Sequence, residues 1–287
     1  MIGVTGANGY VGGRIIAHLR ASGIDAIALV RRPPRGDALA RRYSLGEPLE
    51  RSLLDGIETV VHAAYDASAQ GRDIRGRNVT GSLPLLEGLH ERGGRMLMVS
   101  SLSAFEGARS QYGRAKLELE RAVLARDGIV LRPGLVFGVG AGGLFGAMVK
   151  ALSRHALAPM IGGGSQRLFV SHDEHLSKLV TAIAAGEAQS ESPLFAAHEV
   201  PTTLRAIAAQ IAQAQGRRLI AVPLAPSLVR LGLRCAEGAC VGLPFRSDSL
   251  LSLMNPIGLD QVSALARSQV VFPALAPQLW AEPQVDR

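Results

Sequence analysis

The chain has 287 residues, 47% of them hydrophobic and 19% charged. That balance argues against a disordered chain and suffices for one large domain or two modest ones. Net charge is +7, which favours anionic partners such as a dinucleotide, a phosphorylated substrate, nucleic acid or an acidic membrane. The arginines are dispersed, the tightest clusters being Arg31-Arg32 with Arg35 and Arg41-Arg42. No basic run is interleaved with aromatic residues, so nucleic acid is not an expected partner.

The elements read as follows in chain order. Ile2 to Thr5 is a short apolar strand, Gly6 to Gly12 a turn, and Val11, Ile15, Ile16 and Leu19 have helical spacing closed by Gly23. Ile24 to Val30 is a second strand, stopped by Arg31-Arg32-Pro33-Pro34. Thr59 to Ala64 is a third. Asn78 to Leu89 reads as a helix with an awkward Pro84, Met96 to Ser100 as a buried strand, Tyr112 to Leu124 as a helix ended by Gly128, and Ile129 to Leu131 as a strand. Short apolar strands alternating with helices predict a parallel sheet covered on both faces.

Beyond Gly138 the character changes. A loop at 139–143 leads to a helical stretch from Leu144 to Leu152, Gly162-Gly163-Gly164-Ser165 forms a turn before Arg167-Leu168-Phe169-Val170, and Thr203 to Gln215 is an amphipathic helix. Leu219 to Leu233, apolar with arginines on either side, reads as a packed strand and helix, with contact to a membrane surface as the other option. The predicted division is a dinucleotide-binding domain over 1–137, completed by about 166–186, and a substrate-binding or cap region over 138–287.

Cys235 and Cys240 have no nearby histidine and make no zinc pattern; buried, reduced thiols are expected. His172 and His175 flank Asp173 and Glu174, but at a helix start Asp173 reads as a cap, and no metal is expected there. His90 and His155 read as surface residues and Trp280 as a packing residue. The longest uncharged stretch, around 134–149, is glycine-rich and shorter than the ~20 residues that span a bilayer. The chain opens directly into a strand with no visible leader, so a soluble cytoplasmic protein is the expectation.

Gly6, Gly9 and Gly12 lie between a strand and a helix. Gly6 permits the tight turn, Gly9 lets backbone N–H groups approach a pyrophosphate, and Gly12 lets the helix pack on the strand. The helix N-terminus then faces the anion. At the end of the second strand a carboxylate suits the ribose 2′-hydroxyl of NAD, and an arginine the 2′-phosphate of NADP. Here Val30 is followed by Arg31-Arg32 and no carboxylate, so NADP is preferred over NAD.

Tyr112 and Lys116 are one helical turn apart and share a face. A phenol with a pKa of about 10 exchanges protons poorly near neutrality, and a neighbouring ammonium favours its ionised form. The pair is therefore a candidate acid/base unit. Ser101, at a strand end just upstream, is placed to hydrogen-bond a carbonyl or alcohol oxygen.

These residues carry a resemblance. The chain resembles extended-type short-chain dehydrogenase/reductases, the NAD(P)-dependent epimerase/dehydratase family, over nearly its whole length. Thr5 to Gly12 is similar to the family's cofactor fingerprint, His62-Ala63-Ala64 to its fourth-strand segment, Asn78-Val79-Thr80-Gly81 to its Asn-Val-x-Gly helix segment, and Ser100-Ser101, Tyr112 and Lys116 to its catalytic segments. Leu131 to Gly138 is similar to the loop after the sixth strand, and Arg167 to Asp173 to the Arg-x-Phe-Val-x-x-Asp segment.

The resemblance implies a Rossmann doubly wound sheet with a smaller C-terminal substrate-binding region. It implies catalysis by Ser101, Tyr112 and Lys116. A cofactor would contact Gly6, Asn8, Gly9, Tyr10, Val11, Gly12, Arg31, Arg32, His62, Ala63, Ala64, Asn78, Ser100, Tyr112, Lys116, Pro133 and Gly134. Ser101 and Arg167 would meet a substrate, expected to be a nucleotide-linked sugar, in a homodimer built from helices near 78–92 and 112–126. A reductase of a small ketone or aldehyde is the second reading, and a non-catalytic NADP-binding sensor the third. Several departures matter. Ser100, Ser101 and Ser103 are all present, so the register of the catalytic serine is open, with Ser101 favoured. Ser101 and Tyr112 are only 11 positions apart, which shortens the pocket wall, and Leu135 stands where many sugar-nucleotide enzymes have an asparagine.

Overall fold

The computed structural model describes residues 1–69, 73–187, 192–238 and 247–281. The strands are β1 (Ile2–Thr5), β2 (Ala26–Val30), β3 (Ala40–Arg42), β4 (Thr59–His62), β5 (Arg95–Val99), β6 (Ile129–Pro133), β7 (Leu135–Phe137), β8 (Leu157–Ile161), β9 (Arg167–Leu168), β10 (Val170–His172), β11 (Leu194–Ala196), β12 (Thr202–Thr203), β13 (Ile220–Leu224) and β14 (Ala266–Arg267). The α-helices are α1 (Tyr10–Ala21), α2 (Asp73–Asn78), α3 (Leu83–His90), α4 (Gln111–Leu124), α5 (Gly143–Arg154), α6 (Asp173–Ala184), α7 (Leu204–Ala214), α8 (Pro226–Gly238), α9 (Ser247–Met254) and α10 (Leu259–Ser263).

Two compact units result. The first comprises Met1–Pro133, Asp173–Ala196 and Ile257–Val271, the second Gly134–His172, Ala197–Pro256 and Phe272–Arg287.

The first unit is built on an eight-stranded sheet of order β14-β11-β6-β5-β4-β1-β2-β3, every adjacent pair parallel. The order runs outward from β1 in one direction to β3 and from β4 in the other to β14. This is the doubly wound arrangement, with its switch point between β1 and β4. Strand residues are buried on both sides, as a sheet covered by helices requires. Ile27, Leu29, Val60, Met96, Met98 and Val130 join Leu85, Leu86 and Leu89 of α3 and Leu119 and Val123 of α4 in one core. The alternate strand residues point to the opposite face, where α1 and α6 pack together.

Two local departures from the predicted elements have clear causes. The expected helix from Asn78 to Leu89 is broken: α2 ends at Asn78, a 3-10 turn spans Thr80–Ser82, and α3 begins at Leu83. Pro84 lies in the first turn of α3, where its missing N–H costs nothing, whereas inside a continuous helix its ring would clash with the carbonyl of Thr80. The run at 167–170 is also split, because it changes partners. Arg167 and Leu168 pair antiparallel with β12, while Val170 to His172 pair parallel with β7.

In the second unit, Phe137, Phe145, Leu152, Met160, Ile207 and Ile211 form the core with Trp280, whose ring meets Phe145 edge-on at 5.5 Å. His155 and His90 are exposed. Two expectations fail here. Cys235 is exposed rather than buried, because α8 leaves much of its surface to solvent; Cys240 lies outside the described residues. The stretch 219–233 does form a strand and a helix, but they are not packed over: Ile220 and Leu228 are 54% and 67% exposed.

Among the described residues, no helix is long and apolar enough to cross a membrane. The main buried ion pair of the first unit joins Arg132 on β6 to Glu120 on α4, with Nε–O distances of 3.1 and 3.2 Å and an Nη2–O distance of 2.6 Å. Removing one partner leaves a buried charge uncompensated. We expect Arg132→Met to lower unfolding free energy by ~3–5 kcal/mol, and the double variant with Glu120→Leu to recover most of it. Denaturant titration of the two variants checks this.

Candidate active site

The sheet's carboxyl edge assembles the site. After β1, Gly6 turns the chain at φ 69°, and the amide of Gly9 donates to the Gly6 carbonyl at 2.8 Å. A Cβ on Gly12 would lie 2.3 Å from the Gly6 carbonyl oxygen, and one on Gly6 2.8 Å from the Ala64 amide nitrogen. Only glycine lets the loop, α1 and the end of β4 approach this closely.

Helix α1 has no side-chain cap from Gly9 and no acidic residue in its first turn. Its N-terminal amides therefore suit an anion such as a dinucleotide pyrophosphate. Asn8 and Gly9 are exposed, Tyr10 and Val11 partly so. The Tyr10 hydroxyl donates to Asp173 Oδ2 at 2.6 Å, and the same carboxylate takes Arg14 Nε at 3.1 Å. Burial, then Asp173, push the Tyr10 phenol above its ordinary range. Asp173 Oδ1 also accepts the amide of the next residue, Glu174, at 2.7 Å, so the carboxylate at the start of α6 is a structural contact that also anchors α1.

His62 ends β4 in the core, not at a surface. Its Nδ1 lies 3.0 Å from Thr5 Oγ1 and its Nε2 3.2 Å from Ser82 Oγ, and burial pulls its pKa down to about 3. Thr5 Oγ1 in turn accepts the Ala64 amide at 3.2 Å, fixing the Ala63-Ala64 turn beside Gly6. Asn78 is buried and braces the same loop: Oδ1 accepts the Asp66 amide at 2.6 Å, and Nδ2 donates to the carbonyls of Asp66 and Ile74. Both residues shape the loop from behind.

Arg31 and Arg32 follow β2, exposed and without an ion pair among the described residues. The other cluster is engaged: Arg41 donates to the carbonyls of Leu53 and Asp55, and Arg42 pairs with Glu47. That leaves Arg31 and Arg32, with Arg35, as exposed cations without an ion pair among the described residues at this edge.

Beyond β5, the amides of Ser100 and Leu102 donate to the carbonyls of Leu131 and Pro133 at 2.7 and 2.9 Å, so the segment runs on beside β6 and holds Ser101 at the edge. Ser100 Oγ is buried and makes no hydrogen bond among the described residues. Ser101 Oγ accepts the Ser103 amide at 3.1 Å and hydrogen-bonds the Tyr112 phenol. Helix α4 is capped by Ser110, whose Oγ accepts the Gly113 amide at 3.0 Å, which sets Tyr112 in the first turn and Lys116 in the second. Lys116 Nζ donates to the Val99 carbonyl at 3.0 Å. Burial lowers its pKa to about 8, with Glu120 opposing.

Burial raises the Tyr112 pKa, the Ser101 hydrogen bond pulls it back, and Glu120 raises it further. Lys116 was expected to draw the phenol down; it is instead directed at Val99. Tyr65, which the sequence reading passed over, stands between the two. Its ring meets Tyr112 edge-on at 5.0 Å, and Lys116 Nζ lies 5.3 Å from its centroid. Its position directly after Ala63-Ala64 was the available signal.

Pro133 is buried at the end of β6. In the second unit, the Gly134 amide donates to Ser171 Oγ at 2.8 Å, and a Cβ there would lie 2.2 Å from the Phe169 carbonyl oxygen. Arg167 is exposed on β9.

The model of the NAD dependent epimerase/dehydratase family matches residues 2–193. The chain belongs to this family. Its members are NAD-dependent enzymes, and the Rossmann-like sheet is theirs. A ceramide reductase of Caulobacter vibrioides is 28% identical over 191 residues, 63% of this chain and 60% of that protein; the chain thus spans less than two thirds of that relative. An uncharacterized protein y4nG of Sinorhizobium fredii is 25% identical over 272 residues, 85% of this chain and 68% of that one. Among solved structures, MoeE5 in complex with UDP-glucose and NAD superposes with a TM-score of 0.68 at 24% identity, covering 78% of this chain and 85% of that one. The UDP-N-acetylglucosamine 4-epimerase of Bacillus cereus superposes at 0.64 with 18% identity, covering 78% and 84%. At these identities the superpositions speak for the fold.

His62 supplies a prediction. Its folded pKa of about 3 lies below the ordinary histidine value of 6.5, so between those values the unfolded chain binds the extra proton. Stability is full above pH 6.5 and falls as pH drops toward 3. Between pH 6.5 and 5, above the carboxylate range, we expect wild-type unfolding free energy to decline and that of His62→Gln to change less. Urea titrations across that interval measure the difference.

Proposed function

We propose that the chain is an NAD(P)-dependent oxidoreductase or epimerase acting on a carbonyl or secondary alcohol through Ser101, Tyr112 and Lys116. The observation that carries this reading is the Ser101 hydroxyl bonded to the Tyr112 phenol, one helical turn from Lys116 and in the same unit as an uncapped glycine loop. Gly6, Asn8, Gly9, Tyr10, Val11 and Gly12 would hold the pyrophosphate. Ala63 and Ala64 would flank it, backed by His62 and Asn78. Ser100, Tyr112, Lys116, Pro133 and Gly134 would surround the nicotinamide end.

A bound nicotinamide supplies or accepts hydride at the substrate carbon. In reduction the Tyr112 phenol gives its proton to the substrate oxygen as the carbonyl becomes an alcohol; in oxidation it takes that proton back. Ser101 polarises the same oxygen. Lys116, titrating near pH 8, is a second group that gains and loses protons close to neutrality.

A nucleotide-linked sugar is the leading substrate class, supported by the UDP-sugar complexes among the structural neighbours, with Arg167 meeting its phosphate. A ketone or aldehyde without a nucleotide is the second reading. Leu135 in place of an asparagine favours it, as does the Caulobacter relative named for a reductase. So does a Tyr112 held in its acid form by burial. A non-catalytic sensor of the same fold has no use for the Ser101–Tyr112–Lys116 arrangement. NADP is preferred over NAD because Arg31 and Arg32 follow β2 and no carboxylate does. We further propose a cytoplasmic homodimer built through α3 and α4.

Tyr112→Phe should lower turnover by ~100-fold or more while leaving cofactor affinity nearly intact. Assays with NADPH against nucleotide sugars and against simple ketones separate the two substrate readings, and retained activity in the variant contradicts both. Arg31→Ala should weaken NADPH by ~10-fold, the size of one charge-assisted contact, with little effect on NADH. Equal loss for both cofactors, measured by fluorescence titration, contradicts the 2′-phosphate role.

A further inference from the structure

We propose that the second unit carries a docking surface for an anionic lipid membrane, formed by the outer face of the β8–β13 ribbon and the exposed flank of α8. The two strands pair in parallel, with Ile220 opposite Leu157 and Val222 opposite Pro159. Alternation sends Ala158 and Met160 into the core with Ile207 and Ile211 and turns the other face outward. There Leu157 is 58% exposed, Ile220 54% and Val222 40%. One residue past the ribbon, α8 adds Leu228 and Leu231 at 67% and 61% exposure, three positions apart and so on one side of the helix. Exposed apolar side chains gathered on one strand pair and the helix that follows it mark a surface that another phase or molecule covers.

Charge selects the occupant. Residues 150–165 and 216–238 contain Lys150, Arg154, Arg217, Arg218, Arg230 and Arg234 against a single acidic residue, Glu237 near the end of α8. Arg154, Arg217, Arg218 and Arg230 are exposed, and none is held in an ion pair among the described residues. A second copy seated on the same face would oppose two surfaces of one sign, which disfavours the contact. An anionic bilayer satisfies both features: apolar side chains enter the boundary between headgroups and acyl chains, and guanidinium groups meet lipid phosphates. The inference is independent of the cofactor site.

The test is co-sedimentation of the purified full chain with vesicles of phosphatidylglycerol mixed into phosphatidylcholine, and with phosphatidylcholine alone, alongside size-exclusion chromatography. We expect binding to the anionic vesicles only, weakening steeply as salt rises from about 0.05 M to about 0.5 M. Each arginine at such a surface is worth about a fivefold change in affinity. The double variant Arg217→Glu, Arg218→Glu should therefore bind at least ~10-fold more weakly, as should Leu228→Asp, Leu231→Asp, both with unchanged melting temperature. Absent binding to anionic vesicles, or undiminished binding by both variants, overturns the proposal. An oligomer that dissociates in the leucine variant without any vesicle binding assigns the face to a second copy and also overturns it.

Discussion

The parallel pairing of β1 with β4 is the constraint on which the candidate site depends. Strand order reverses there, so the chain leaving β1 turns one way and the chain leaving β4 the other, opening a crevice at the carboxyl edge. Thr5, opposite His62 in the pairing, links the strand ends through its hydroxyl to the imidazole and to the Ala64 amide. The imidazole continues to Ser82. Neutral histidine between two hydroxyls lets one ring nitrogen donate and the other accept, so a polar chain crosses the core fully satisfied. The glycine loop is then held against a fixed edge, and its close approach to Ala64 is a consequence of that edge.

Helix α4 is positioned by three different interactions. Ser110 caps its start, Lys116 ties its second turn to Val99 of β5, and Glu120 ties its third to Arg132 of β6. Each lies on the side that meets the sheet, and together they fix the register of Tyr112 against Ser101. The same burial that holds these side chains still decides their protonation. It keeps the phenol in its acid form and makes the ammonium easier to deprotonate. In this arrangement the phenol holds its proton, and the ammonium is the group that releases one more readily.

Much of the first unit was legible because its signals are local. Apolar strands, a glycine loop before a helix and a Tyr-x-x-x-Lys spacing depend on neighbours in the chain. What was not legible depends on distant partners. Asp173 reads as a cap, but its link to Tyr10 spans 163 positions. Lys116 reads as a tuner of Tyr112, yet its bond goes to Val99, a strand residue that helical spacing does not place. β3, β11 and β14 are two or three residues long, below the length at which periodicity is visible. The outer face of β13 reads as core from its composition; its exposure follows from what lies, or does not lie, across it in the fold.

Any chemistry at Ser101, Tyr112 and Lys116 depends on dinucleotide binding at the β1–α1 loop. The most direct test is calorimetric titration of the purified chain with NADPH and with NADH. Such binding predicts one site per chain, saturable by both, with NADPH the tighter ligand. Absence of heat and of competition for either cofactor would contradict it at the loop from Gly6 to Gly12, on which every later step rests.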